Sequence, residues 1–122
     1  MERPLSKPFT PKPPLYYITE IDVTDPVGFA KNYLPIMQLL IKADGGRFVA
    51  LGGPRGGGKV TAIEGAPPAP RVAVLVWDSL EQVQAHRDSE AFKAARKIGE
   101  KYATFRSFTV EGLPNQASDN SN

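Results

Sequence analysis

The segment 71–77, RVAVLVW, constrains the fold more than any other part of the sequence. It is apolar and β-branched at successive positions, which predicts a central strand covered on both faces. The segment 15–23, LYYITEIDV, is aromatic and β-branched and predicts a second strand of the same kind. Period-two alternation groups three valines on one face of the central strand, Val72, Val74 and Val76. On the other strand it groups Tyr17, Thr19, Ile21 and Val23.

A helix is predicted after the strand 15–23. Asp25 can cap its free backbone amides, and Pro26 suits the first helical position because it has no N–H to leave unpaired. Apolar side chains then recur at helical spacing, at Phe29, Tyr33, Leu34, Ile36, Met37, Leu40 and Ile41. Pro35 predicts a kink in this helix, and the segment 44–46, Asp-Gly-Gly, predicts its end.

A second helix is predicted after the central strand, beginning at Asp78 or Ser79. Glu81 or Gln82, a few residues further on, completes a capping box with the first residue. The pair Asp88-Ser89 interrupts this helix. The apolar stripe resumes beyond the interruption and runs to Gly99, through Phe92, Ala95 and Ile98.

Three further segments predict strands: 47–51, 59–64 and 104–111. The glycine-rich segment GGPRGGG joins the first two and predicts an inserted hairpin. The order is then βαββαβ, an α+β fold in which both helices pack on one face of an antiparallel sheet. The opposite face is also apolar and needs a cover, for which a second copy of the chain is the simplest source. We therefore expect a homodimer.

Composition excludes several classes of protein. The chain has 122 residues, with five prolines among the first 14, and predicts one domain over 15–112 between a disordered proline-rich tail, 1–14, and a disordered polar tail, 113–122. No apolar segment is long enough to span a membrane, and no secretory signal is recognisable, so we expect a cytoplasmic protein. Cysteine is absent, which excludes disulfides and thiolate chemistry.

The formal net charge of +2 does not predict nucleic-acid binding. The segment 15–112 holds 12 basic and 11 acidic residues, so its net charge is only +1. One basic cluster has the spacing of a solvated helix face, formed by Lys93, Arg96, Lys97 and Lys101. We expect neither a nucleic-acid partner nor a membrane partner.

The segment 53–59, GPRGGGK, resembles the first part of a phosphate-binding loop. Val60 stands where that loop needs Ser or Thr to hold magnesium. The segment after Lys59 is β-branched and does not predict the helix whose N-terminus would face the phosphates. We expect a flexible hairpin tip, with nucleotide binding as the less favoured alternative.

His86 is the only histidine of the chain, which excludes a histidine metal cluster. A lone histidine can still serve as a catalytic general base, with Asp88, Glu20 or Asp22 as its orienting partner. The alternative is an exposed histidine that is stabilised by the end of its helix.

A ligand-binding cleft can be lined by Tyr17, Tyr33 and Trp77. Arg47 and Arg106 would add guanidinium groups that bind a carboxylate. The alternative is that the aromatic residues belong to the core. Glu20 then forms a structural ion pair with Arg106 or Arg71.

The chain resembles the domain-of-unknown-function family numbered 1330, within the dimeric α+β barrel superfamily, over about residues 15–112. The resemblance rests on the order and spacing of YYITEIDVTDP, DGGRFVALGG, IEG, RVAVLVWDSLEQVQAH, DSEAFKAAR and VEG. It implies a ferredoxin-like protomer, a dimer whose sheets face each other, and a small-molecule cleft between sheet and helices. It implies no particular activity. Relatives often carry Trp-Tyr where this chain has His86-Arg87, so the cleft is expected to be more polar here.

These features favour a homodimeric small-molecule-binding protein or a cofactor-independent enzyme that acts on a hydrophobic organic acid or quinone-like compound. The alternative is a structural or regulatory dimer that has no ligand and fills the cleft with its own aromatic side chains. Neither a cofactor nor a metal is expected.

Overall fold

The computed structural model describes residues 12–54 and 56–114. Within them the strands are β1 (Leu15–Val23), β2 (Arg47–Gly52), β3 (Arg71–Trp77) and β4 (Ala103–Glu111). The helices are α1 (Pro26–Gly28), α2 (Leu34–Asp44), α3 (Leu80–Asp88) and α4 (Glu90–Gly99), with a π-helical turn, Phe29–Tyr33, between α1 and α2. Most of the two predicted tails, residues 1–11 and 115–122, lies outside the described residues.

The strands form one antiparallel sheet in the order β2-β3-β1-β4. This order, together with the βαββαβ sequence of elements, is the ferredoxin-like arrangement. The predicted α+β class and the ferredoxin-like fold are therefore confirmed.

The first helical segment begins and ends as its sequence predicts. Asp25 Oδ1 accepts a hydrogen bond from the Gly28 amide at 3.1 Å, and Gly45 ends α2 with a φ of 104°. Pro35 has no N–H to donate to the preceding turn. The adjacent amide of Leu34 donates to the Phe29 carbonyl, five residues back, so the predicted kink takes the form of a π-helical turn.

Two serines set the boundaries of the second helical segment. Ser79 Oγ accepts from the Gln82 amide at 3.1 Å, and Gln82 Oε1 accepts from the Asp78 amide at 2.8 Å. Ser89 Oγ accepts from the Phe92 amide at 3.1 Å and begins α4 immediately after α3 ends. The predicted cap and the predicted interruption are both present.

The core lies between the helices and one face of the sheet. Its strand residues are Leu15, Tyr17, Ile21, Ala73, Leu75, Trp77 and Ala103. Its helical residues are Phe29, Tyr33, Met37, Ile41, Val83, Phe92 and Ala95. The face of β1 that carries Tyr17 is thus the face covered by helices. The face left open by the helices carries Tyr16, Ile18 and Glu20 of β1, and Val72, Val74 and Val76 of β3.

The prediction of a second hairpin strand is wrong, because residues 59–64 form no strand. A single bridge joins Gly52 to Gly58, and the chain then runs beside the sheet. Val60 packs directly on Gly52, where an added Cβ would clash with its Cγ2. The Ala69 amide donates to Glu20 Oε1 at 3.2 Å. Prolines at 67, 68 and 70 lack backbone donors, so this segment does not extend the sheet. Val60 and Pro68 instead line a groove with Val72 and Val74, which places the segment over part of the open face.

Candidate functional site

A cavity of about 90 Å³ lies between the sheet and the helices. Its floor is the helix-covered face of β1 and β3, and its other walls come from α2, the π-helical turn, α3 and α4. It opens towards the edge strand β2 beside Phe48 and Leu51, which are 38% and 45% exposed. A cavity of roughly 150 Å³ holds benzene. A ring-sized ligand therefore requires side chains at this opening to move.

His86 and Asp44 form a hydrogen-bonded pair at one end of the cavity. His86 Nδ1 lies 2.6 Å from Asp44 Oδ2, and His86 is only 4% exposed. The imidazole ring packs between Trp77 and Phe92, with ring centroids 4.8 Å from each. Within the described residues, Nε2 has no hydrogen-bond partner and is the ring nitrogen left for a ligand.

Asp44 occupies an unusual place for a carboxylate. It is the last residue of α2, where the negative end of the helix dipole repels a negative charge. The hydrogen bond to His86 offsets this repulsion. A carboxylate oxygen can only accept a hydrogen bond, so Nδ1 carries the proton when the ring is neutral. The lone pair of Nε2 is then free to accept a proton from a ligand.

Two tyrosine–arginine pairs extend the polar part of the site. Arg87 Nη1 donates to the Tyr17 hydroxyl at 2.6 Å, and Arg96 Nε donates to the Tyr33 hydroxyl at 3.2 Å. Both guanidinium groups lie over the ring of Phe92, at 4.8 and 4.9 Å from its centroid. Since each hydroxyl accepts from arginine, its own hydrogen can be donated to a ligand.

Burial raises the pKa of Tyr33 above its ordinary value of 10.0, while the nearby Arg96 charge and hydrogen bond oppose the rise. The phenol is thus neutral at physiological pH and acts as a hydrogen-bond donor.

Alkaline pH is expected to weaken the fold partly through Tyr33. Because the pKa of Tyr33 is raised in the folded state, its contribution to the free energy of unfolding is intact below the ordinary pKa of 10.0. That contribution is lost as the pH rises through the folded-state pKa. Tyr33→Phe should reduce the fall in the free energy of unfolding above that pH, measured by denaturant titration. The same variant at neutral pH gives the loss due to packing and hydrogen bonding alone. An unchanged alkaline slope in Tyr33→Phe would exclude this cause.

Positive charge is in excess around the cavity. Arg71 and Arg96 both line it, and their guanidinium carbons lie over Phe29 at 5.2 Å and Phe105 at 3.9 Å. Across residues 12–54 and 56–114, the carboxylates that contact a basic side chain are Asp44, hydrogen-bonded to the His86 imidazole, and Glu20, ion-paired with Arg106. No carboxylate of this part of the chain therefore neutralises the two cavity arginines. An anionic ligand suits such a site.

Four residues predicted for the site do meet at the cavity: Tyr17, Tyr33, Trp77 and His86. Arg47 and Arg106 do not. They face Val76 and Glu20 across the sheet, on the open face, because alternate strand residues point to opposite sides. Arg106 Nη1 binds Glu20 Oε2 at 2.6 Å, which is the structural ion pair that the sequence offered as an alternative.

The orienting partner of His86 was predicted wrongly. Neither Asp88 nor the acidic residues of β1 contact the imidazole, because Asp88 is exposed at the end of α3 and Glu20 points to the open face. Asp44 takes this role from the neighbouring helix. Its position at a helix C-terminus, unfavourable for a carboxylate, was the available signal for a partner.

Arg71, Arg87 and Arg96 were missed as site residues. Arg96 was grouped with three lysines on a solvated helix face, but it is half-buried and binds Tyr33. Its spacing of four residues from Phe92 was the available signal, since such positions share a helix face. Arg71 alternates with Ala73 and Leu75 on β3, which places it on the covered side of the sheet.

The glycine-rich segment lacks the features of a phosphate loop. The Gly53 amide donates to the Gly58 carbonyl at 2.9 Å, and the Gly58 amide donates to Leu51 at 2.7 Å, so the segment closes on itself. Lys59 is exposed and precedes an extended segment, with no helix N-terminus at which phosphates would bind.

Residues 12–54 and 56–114 contain no cluster of three or more potential His, Cys, Asp or Glu metal ligands. Over the same ranges, no helix has both the length and the apolarity to cross a membrane.

The profile of one family, Domain of unknown function (DUF1330), matches residues 14–113. The chain belongs to the DUF1330 family. No curated protein matches this DUF1330 chain.

Solved structures share the fold of this DUF1330 protein. The RPA0582 protein of unknown function from Rhodopseudomonas palustris is 10% identical, with a TM-score of 0.57 and coverage of 85% of each chain. SnoaB from Streptomyces nogalater, a cofactor-independent oxygenase, is 11% identical, with a TM-score of 0.57 over 84% of this chain and 96% of its own. At such identities the likeness establishes the fold alone.

Proposed function

We propose that this DUF1330 protein binds a hydrophobic organic acid or quinone-like compound in its cavity and removes a proton from it without a cofactor. The observation that carries the proposal is buried His86, which lines the cavity and lies 2.6 Å from the half-exposed Asp44 carboxylate. Arg96 lines the same cavity and has no carboxylate partner among the described residues. A base and a cationic group in one apolar cavity suit the conversion of a neutral ketone or phenol into an anion.

Each residue has a defined part in the proposed step. The proton moves from an acidic carbon or hydroxyl of the substrate to His86 Nε2. The electron pair remains on the substrate and, for a carbon acid, becomes an enolate oxygen. Arg96 and the neutral Tyr33 hydroxyl donate hydrogen bonds to that oxygen. Asp44 holds the imidazole in the required tautomer and stabilises the imidazolium that forms.

The oxygenase SnoaB, which shares the fold, supports dioxygen as a second reactant. An enolate or a quinol anion is electron-rich, so dioxygen can oxidise it without a bound metal or flavin. For a methylene group the balance is one dioxygen consumed, one oxygen atom retained as a carbonyl, and the other released as water. In this scheme the protein supplies the anion and excludes bulk water.

The test separates proton removal from oxidation. Aryl β-keto acids are incubated with the protein in deuterated buffer without oxygen, and deuterium entry at the α-carbon, beyond the rate in buffer alone, is followed by NMR. Hydroquinones, whose hydroxyl protons exchange without a catalyst, are tested for binding only. Asp88→Asn is the matched control, because it alters an exposed carboxylate two residues from His86. We expect exchange by the parent and by the control, and reduced exchange by Asp44→Asn. Absence of both binding and exchange with every compound would reject the proposal.

A homodimer formed through the open face completes the proposal. Five apolar or aromatic residues of that face are half-buried, Tyr16, Ile18, Val72, Val74 and Val76. Phe108 and Val110 of β4 are 41% and 49% exposed beside them. The Glu20–Arg106 ion pair neutralises the charges at one end of this surface. A second copy provides the same apolar surface and would cover it most simply.

Introducing a charge at the centre of the open face is expected to separate the dimer. Val74→Asp should raise the dimer dissociation constant at least about 100-fold, because an unpaired carboxylate would be buried at the interface. Light scattering after size-exclusion chromatography measures the change. Leu39→Asp, at a position 71% exposed on α2, is the control and should stay dimeric. A parent protein that is monomeric at micromolar concentration would contradict the proposed dimer.

One observation favours a second candidate, a structural or regulatory dimer without a ligand. The cavity has a free volume of only about 90 Å³ among aromatic side chains, which is less than a ring-sized ligand needs. If this candidate is right, neither the aryl β-keto acids nor the hydroquinones should raise the thermal unfolding temperature of the protein. We propose a cytoplasmic location for either function, with no nucleic-acid partner.

A further inference from the structure

Arg71 lies at the opposite end of the cavity floor from His86. The floor along β3 consists of Arg71, Ala73, Leu75 and Trp77. Trp77 is six positions after Arg71, so their Cα atoms are roughly 20 Å apart along an extended strand. Trp77 packs against His86, with ring centroids 4.8 Å apart. The two polar ends of the cavity are therefore joined by an apolar floor.

The guanidinium group of Arg71 lacks the partners that a half-buried arginine normally has. Its Nε is buried, and no protein atom of the described residues accepts a hydrogen bond from it. Its Cζ lies over the Phe29 ring, 5.2 Å from the ring centroid. Glu20 is not available to it, since that carboxylate points to the open face and binds Arg106.

A desolvated cation without a counter-ion is unfavourable, and a carboxylate is the group that best relieves it. Arg71 lines the cavity, so a carboxylate bound beside it could accept hydrogen bonds from Nε and one Nη in two-point geometry. Arginine is also the residue best suited to hold a carboxylate in two-point geometry.

We infer that the ligand is an elongated molecule whose carboxylate binds Arg71 while its reacting group lies beside His86, and that the side chains at the opening beside Phe48 and Leu51 move apart to admit it. The inference rests on the proposed function and narrows its substrate class. A compact acid would place its carboxylate at Arg96, only one aromatic ring away from His86, and would leave Arg71 without a partner. An apolar segment between the two ends matches Ala73 and Leu75 on the floor.

The test uses ω-aryl alkanoates of increasing chain length, each paired with its uncharged methyl ester. Dissociation constants are measured by calorimetry for the parent, Arg71→Gln and Arg47→Gln. Arg47→Gln removes the same charge from the open face and is the matched control. In the parent and in this control, long acids should bind about 10-fold or more tightly than their esters, because the ester cannot form the charge-assisted bonds.

Arg71→Gln should reduce that preference to within about 2-fold, and Arg71→Lys should restore part of it because the charge returns without the two-point geometry. Thermal unfolding of each variant establishes that it is folded. An acid preference that survives Arg71→Gln and is lost in Arg96→Gln would overturn this inference and leave the proposed function intact. If the parent binds neither acids nor esters, the proposed function fails, and the inference fails with it.

Discussion

His86→Gln is expected to slow proton removal by about 100- to 10,000-fold, the range that a positioned general base contributes. The glutamine amide can still donate a hydrogen bond to Asp44, and its bulk still separates Trp77 from Phe92. Ligand affinity should therefore change little, whereas no basic nitrogen remains. Deuterium exchange into a bound carbon acid gives the rate, and calorimetry gives the affinity.

Asp88→Asn serves as the control for this experiment and should exchange at the parental rate. Asp44→Asn adds a second readout, because a residue that positions the imidazole should alter the pH profile of the rate, whereas a purely structural residue should not. An exchange rate that is the same in His86→Gln and the parent would remove His86 from the mechanism.

Phe29→Ala is expected to lower the free energy of unfolding by about 3–5 kcal/mol, the usual cost of deleting a fully buried aromatic ring. Phe29 has no exposed surface. Its ring lies 5.2 Å from Tyr33 and 6.4 Å from Phe105, with the Arg71 guanidinium over it. Removal leaves a cavity among groups that are held by the helices and the sheet and can relax only in part.

Urea unfolding measures this loss, at equal protein concentrations because self-association would add to stability. Ile63→Ala is the control, since Ile63 is 88% exposed and should change stability by no more than about 0.5 kcal/mol. A Phe29→Ala effect as small as that of the control would mean that the aromatic cluster does not stabilise the fold.

Much of the fold could be predicted from local signals. Asp25, Ser79 and Ser89 cap helices where capping rules place them, and Gly45 ends a helix with the expected left-handed conformation. The strand at 59–64 could not be excluded in this way. Its β-branched composition favours a strand, but the following prolines and the contact of Val60 with Gly52 determine its path.

The candidate site was only partly predictable, because it depends on contacts between distant elements. Aromatic residues at Tyr17, Tyr33 and Trp77 could be assigned to one cavity from spacing alone. The positions of Arg47 and Arg106 could not be predicted without the strand register, which places both side chains on the open face. Asp44 and His86 are 42 residues apart in sequence and meet only because α2 and α3 end side by side.

The π-helical turn at Phe29–Tyr33 changes which side of the helix faces the core. It keeps side chains that are four residues apart on the same side. In a regular α-helix, residues four apart are separated by about 400°, so each step moves the row about 40° around the axis. The wider turn at Phe29–Tyr33 reduces one of these steps. Phe29, Tyr33, Met37 and Ile41, each four residues from the next, all remain buried in the core. Deleting one residue from this turn would rotate Phe29 away from the guanidinium group it now supports.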